Sequence, residues 1–206
     1  MENEKGLVIL GYGGHGRSLA DVALASGFTT LVFLDDQAKP DETFFDFPVQ
    51  REWVGPLPKG WTCVPGSGDN DKRKEQMDWI RDKGWPLGQV VSPTATLGIG
   101  SVLGPGCFIA HHAHVGPRSQ VGEACVVNTS AVVDHDCVIG DYVHVSGHAG
   151  VAGYCGIGNF SLIGANAGVI DRVTIPARTV IGAGAMVLKS IEEPGVYIGI
   201  PAKRMR

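Results

Sequence analysis

From residue 91 onward the hydrophobic positions recur every six residues. Val91, Leu97, Leu103, Ile109, Val115, Val121, Val127, Val133 and Ile139 continue without a break through Val145, Val151, Ile157, Ile163, Val169, Ile175, Ile181 and Val187. The position two residues before each aliphatic one is mostly small, as at Ala113, Ser119, Cys125, Ala131 and Cys137. An aliphatic residue two places after a small one puts both on one face of a short strand. The residue after the aliphatic one is often glycine (Gly98, Gly104, Gly116, Gly122, Gly140, Gly158, Gly164, Gly182), which suggests backbone freedom for a corner. Strand and corner in alternation, with one face always buried, wind a solenoid. A period of six does not hold one face of a 3.6-residue helix, so helix is excluded here.

This hexapeptide repeat resembles that of the left-handed parallel β-helix of hexapeptide acyltransferases, in which three hexads make one triangular coil. Residues 91–192 would then form between five and six coils. Cys107, Cys125, Cys137 and Cys155 all take the small inward position, where a buried thiol is the expected role. Cys63 lies in a strand-like run and has the same expectation.

The first ninety residues follow a different pattern. An apolar run over 7–10 leads into Gly11-Tyr12-Gly13-Gly14-His15-Gly16, then a helix with Leu19, Val22 and Ala23 on one face and Gly27 at its end. A second strand over 31–34 closes on Asp35 and Asp36. Glycine spacing and a following acid are the dinucleotide fingerprint. Fewer than ninety residues precede the solenoid, which leaves room for one mononucleotide-binding half. A third strand over 61–64 runs into Pro65-Gly66-Ser67-Gly68-Asp69-Asn70 and a helix over 71–83, while residues 37–59 read as a loop. The predicted fold is an α/β half-Rossmann unit (β-α-β-α-β, residues 1–90) followed by a left-handed parallel β-helix with a C-terminal tail (residues 91–206). Two glycine turns and two acids at one end of the sheet point to nucleotide binding by Gly13, Gly14, His15, Asp35, Asp36, Ser67 and Gly68.

Composition narrows the choice of partner. The 206 residues include 30 glycines, 17 basic and 21 acidic residues, for a net charge of -4 that disfavours nucleic acid as a partner. No apolar run approaches a membrane span and the start is polar, so a cytoplasmic protein with neither span nor secretory signal is expected. Six of the seven histidines fall in the solenoid. His135 occupies an outward corner between Asp134 and Asp136, where a carboxylate can hold one tautomer and support the cation. His144 projects from a flat side and should not meet His135 within one coil, a reason to expect a symmetric oligomer. His111, His112 and His114 read as surface or interface. Metal binding by them is the sharper alternative, set against the absence of an acid or cysteine ligand at nearby outward positions.

The glycine turn, Leu34-Asp35-Asp36, Asn128-Thr129-Ser130, the run from Asp134 to Gly140, and the tail from Gly195 to Met205 together resemble the bacterial nucleotide-sugar N-acetyltransferases of the bacillosamine type. Perosamine N-acetyltransferases and sialic acid O-acetyltransferases are close to that group. The resemblance implies acetyl-CoA as co-substrate with no metal, a nucleotide-linked 4-amino-4,6-dideoxy sugar as acceptor (UDP-linked first, GDP- or dTDP-linked otherwise), and a homotrimer. It implies His135 as base with Asp136 after it, in place of the usual Glu, and His144 and Asn128 in the active site. It places His15 near the sugar, and acetyl-CoA along the solenoid at Gly153, Gly164, Ala165, Gly182 and Ala183, with Gly153 as oxyanion donor. Lys189, Lys203 and Arg204 are candidates for the coenzyme phosphates. A carbonic-anhydrase-type metalloenzyme and a non-catalytic nucleotide-sugar module are the competing classes.

Overall fold

The computed structural model describes residues 5–205; the first four residues, on which most of the polar start falls, and Arg206 lie outside them. The chain opens with β1 (Gly6–Leu10), α1 (Gly14–Ala25) and β2 (Thr30–Leu34). It continues through β3 (Thr43–Phe44), β4 (Phe47–Gln50), β5 (Thr62–Pro65) and α2 (Asn70–Asp82). Their sheet has the order β3-β4-β2-β1-β5 and is parallel except for the β3–β4 hairpin. β1 is buried on both faces, as a continuous apolar run in a parallel sheet requires. After α2, the closing strand is reduced to one parallel bridge, Cys63 to Leu87.

The predicted loop at 37–59 contains the β3–β4 hairpin. It escapes pattern reading because β3 is two residues long, β4 carries Pro48, and the turn uses Phe45 at φ 53° where glycine would be the usual signal.

From Val90–Val91 to Met186–Val187 the chain forms seventeen two-residue strands. They stack into three parallel ladders, one on each side of a triangular coil, and partners in a ladder are eighteen residues apart, as in Val91, Ile109, Val127 and Val145. The aliphatic and small positions of the repeat form one continuous core. Each fully buried Val, Ile or Leu contributes ~1.5–3 kcal/mol over its exposed state. The four inward cysteines are free thiols, and each donates to a carbonyl of the following coil, as Cys107 Sγ does to Gly122 at 3.0 Å. The tail adds Val196–Ile198 in parallel and Lys203–Arg204 antiparallel to the first ladder.

The corner glycines play a different part from the one expected. The left-handed backbone falls two residues later, at Arg118 (φ 62°), Asp136 (φ 55°), Tyr154 (φ 59°) and Arg172 (φ 58°) in one corner column. Glycine just after the aliphatic residue serves close stacking instead: a Cβ on Gly116 would lie 2.5 Å from the backbone nitrogen of His135 on the next coil.

Candidate active site

A cavity of about 1070 Å³ opens at the carboxyl ends of β1, β2 and β5. Gly13, Gly14, His15, Asp35, Asp36, Ser67 and Gly68 all line it. The two glycine turns pack closely beneath, since a Cβ on Gly66 would lie 2.6 Å from the Leu10 carbonyl oxygen and 3.3 Å from that of Gly11. Gln76 ties them together, accepting from the Ser67 amide at 3.0 Å and donating to the Leu10 carbonyl at 2.8 Å. The two acids differ in role. Asp35 accepts from the amides of Tyr12 at 2.7 Å and Gln37 at 2.9 Å, so both its oxygens brace the backbone. Asp36 is exposed to the cavity. Sequence reading missed the far wall, built by Trp53, Lys72, Glu75, Trp79 and Lys83. Its signal was available on α2, where 72, 75, 76, 79 and 83 share one helical face.

The cavity is lined by the N-terminal unit alone, and its Gly68 edge meets the first ladder of the solenoid. His144 Nδ1 is 3.3 Å from the Gly68 carbonyl, so that nitrogen carries the hydrogen. His144 Nε2 then accepts from Asn128 Nδ2 at 3.3 Å, while Asn128 Oδ1 accepts from the Thr129 amide at 2.8 Å. The His15 ring stands 6.0 Å from that of His144 and edge-on to Phe108 at 5.2 Å. Burial, with a smaller contribution from the Arg73 charge, pushes His144 down to about 4. Burial, then His144, then Arg73 push His15 down to about 3. Both rings are neutral at physiological pH.

His135 lies elsewhere. It sits at the corner between the second and third ladders, the vertex opposite the side that carries His144. Its Nδ1 is 3.0 Å from Asp136 Oδ2, and Asp136 Oδ1 pairs with Arg118 Nε at 3.1 Å. Asp134 accepts the His135 backbone amide at 2.7 Å, which leaves Asp136 as the imidazole's partner despite its shorter side chain. With Nδ1 donating to a carboxylate, Nε2 keeps its lone pair and suits a base. The ring lies directly over Gly153, within 2.6 Å of where a Cβ would stand, and Tyr154 meets it edge-on at 5.1 Å.

Among the residues expected to meet the co-substrate, Gly153 shares the His135 corner. Gly164, Ala165, Gly182 and Ala183 stack at the corner between the first and second ladders, with Ala165 and Ala183 exposed. On the side between these two corners Gly150 leaves the backbone open, with nothing within 4 Å of where a Cβ would stand, whereas the Met186 side chain of the next coil lies over Gly168.

His111 has an acid neighbour that linear spacing did not reveal: α1 carries Asp21 to 3.3 Å from its Nε2, and Ser92 Oγ is 2.7 Å from its Nδ1. No group of three His, Cys, Asp or Glu side chains converges among the described residues. No helix among them is long and apolar enough to cross a membrane.

A short α/β unit seated on a hexapeptide β-helix, with a carboxylate-oriented histidine at a solenoid corner, is the architecture of a two-part acyltransferase. The PglD N-terminal domain family matches residues 6–80. The acetyltransferase domain of PglB from Neisseria gonorrhoeae FA1090 superposes with a TM-score of 0.90 at 30% identity over 98% of this chain and 100% of that one. The perosamine N-acetyltransferase of Caulobacter crescentus, a mutant solved with CoA and GDP-perosamine, gives 0.87 at 31% identity over 96% and 95%. WeeI from Acinetobacter baumannii AYE, at 20% identity and 0.89, shares the fold. No curated protein sequence matches the chain. The chain belongs to the nucleotide-sugar N-acetyltransferases of the hexapeptide-repeat superfamily, and it is an acetyltransferase with the left-handed β-helix of that family.

Proposed function

We propose that the protein transfers the acetyl group of acetyl-CoA to the 4-amino group of a UDP-linked 4-amino-4,6-dideoxy sugar in bacterial glycan synthesis. Residues 1–90 hold the nucleotide-sugar and residues 91–206 carry out the acyl transfer. The observation that carries this reading is His135, fixed by Asp136 with Nε2 free, over the side-chain-free backbone of Gly153.

A sugar amine is mostly protonated at neutral pH and must lose a proton to attack a thioester. The ammonium releases that proton to solvent before attack; as the free amine forms the C–N bond, His135 Nε2 takes a second proton from the nitrogen, Asp136 supports the imidazolium, and this proton passes to the thiolate as the C–S bond breaks. The Gly153 amide is the donor for the oxyanion. The products are an N-acetyl sugar and free coenzyme A, with no acyl-enzyme. The open backbone at Gly150 lets an extended pantetheine lie close to the solenoid, beside the Met186 side chain that covers Gly168.

Within one chain the nucleotide cavity borders His144, while His135 stands at the opposite vertex. One active site therefore takes the cavity of one subunit and His135 of another, which favours a closed homotrimer. A GDP-linked acceptor is the second reading, favoured by the 31% identical relative solved with GDP-perosamine. An acetyl-CoA consumption screen over UDP-, GDP- and dTDP-linked 4-amino sugars, with free sialic acid alongside, decides between them. The UDP sugar should give the highest kcat/KM. Turnover of none of these acceptors would refute the proposal.

A further inference from the structure

The most deeply buried charged side chain among the described residues takes no part in the chemistry above. Arg73, on α2, is 1% exposed, and its guanidinium makes five hydrogen bonds without a carboxylate among them. Nε donates to the Ala124 carbonyl at 2.6 Å, and Nη2 to the Tyr142 carbonyl at 2.9 Å and to Asn70 Oδ1 at 2.8 Å. Nη1 donates to the carbonyls of Ser67 and Gly68, each at 3.2 Å. Burial pushes the group down to about 10, so it remains a cation at neutral pH. A buried cation with neutral partners is a costly way to hold two units together, since apolar packing does so without desolvating a charge. What the guanidinium fork supplies beyond adhesion is direction: it fixes carbonyls of the cavity turn relative to carbonyls of the solenoid.

One of those carbonyls is the Gly68 oxygen that accepts from His144 Nδ1. We propose that Arg73 is a positioning residue for the acetyl-transfer site: by clamping the Ser67–Gly68 turn to the solenoid, it holds the Gly68 carbonyl where that oxygen selects the Nδ1–H form of His144. His144 Nε2 is thereby kept as an acceptor next to the Gly68 edge of the cavity, in line with Asn128. Moving the Gly68 oxygen away removes the contact that fixes the hydrogen on Nδ1, and Nε2–H becomes competitive. The groups that act on His144 are His15 from α1, Arg73 from α2, and Asn128 and Gly68 through hydrogen bonds. His15 approaches through its ring and leaves the choice of nitrogen to Gly68 and Asn128.

The test is Arg73→Lys in the full chain, with Arg73→Gln as a second variant, read by long-range ¹H–¹⁵N spectra of the histidine rings and by kinetics. A lysine keeps the charge but not the five-donor fork. In the wild type, His144 should show a protonated Nδ1 and a bare Nε2. In Arg73→Lys, an Nε2–H population should appear, with kcat/KM for the nucleotide-sugar falling about tenfold and KM for acetyl-CoA staying within twofold. An unchanged tautomer in a folded variant would overturn the proposal, as would equal losses toward both substrates. If neither variant folds, the wild-type spectrum still decides, because a proton on Nε2 there contradicts it. The kinetic arm rests on the acetyltransferase reading. The spectroscopic arm does not, so failure of turnover in the wild type is distinct from failure of the clamp.

Discussion

Gly153→Ala probes the proposed active site without removing any functional group. The new Cβ would lie 2.6 Å from Cε1, 2.7 Å from Nε2 and 3.1 Å from Nδ1 of His135. Ordinary carbon contacts need ~3.5 Å or more, so the imidazole must retreat by about 1 Å. It is free to do so, because the side chain is 43% exposed, and the Asp136 contact has to lengthen or bend as it moves. Gly153 does not occupy the left-handed region, so alanine brings no backbone penalty and the coil should stack as before. A 1 Å misplacement of a proton-transfer group costs on the order of 10²-fold in rate. Steady-state kinetics with acetyl-CoA and the nucleotide-sugar should therefore show kcat down roughly 10²-fold, with each KM changed by less than about threefold. His135→Ala should lose ~10²-fold or more, and the double variant little beyond that, since both act through one imidazole. Wild-type kcat in Gly153→Ala, with the methyl group confirmed in place, would refute His135 as the base in this geometry.

The depressed His15 and His144 link stability to pH. Their folded-state values, about 3 and about 4, lie below the ordinary imidazole value of 6.5, so the unfolded chain binds the extra protons. Stability should be constant above pH ~6.5 and fall as pH drops from there toward 3; thermal melts across this window should show a shallower fall in His144→Gln, and an equal slope would contradict the assignment. Asp36→Ala should raise KM for the nucleotide-sugar and leave Tm unchanged. Asp35→Ala should instead lower stability by about 1–3 kcal/mol in denaturant titrations, because the amides of Tyr12 and Gln37 lose their acceptor. The reverse pattern would show that Asp35, and not Asp36, reads the ligand.

The solenoid was legible because its period is shorter than any loop that could obscure it, and every aliphatic step from Val91 to Val187 is kept. The glycine turn and the paired acids were legible for a similar reason: local geometry demands those residue types at those spacings. Contacts between the two units were not. The Gly68 oxygen beside His144, the Arg73 clamp and Asp21 beside His111 join residues 76, 51 to 69 and 90 positions apart, and no local pattern marks them. The role of the corner glycines was misassigned because a tight stack and a left-handed turn both ask for glycine. Only the neighbouring coil, eighteen residues away, tells them apart. The choice between Asp134 and Asp136 depended on side-chain direction at a left-handed corner, which sequence adjacency does not specify.

The most direct test of a site shared between subunits is complementation between two inactive proteins. His135→Ala lacks the base at the solenoid vertex, and His144→Ala lacks the histidine beside the nucleotide cavity, yet each carries the half that the other has lost. Purified separately, dissociated, mixed in equal amounts and reassembled, they should regain roughly a quarter of wild-type activity, because random pairing of neighbours places both intact halves together at about one interface in four. Activity that stays at the level of the separate variants after verified mixing would contradict a site built from two chains.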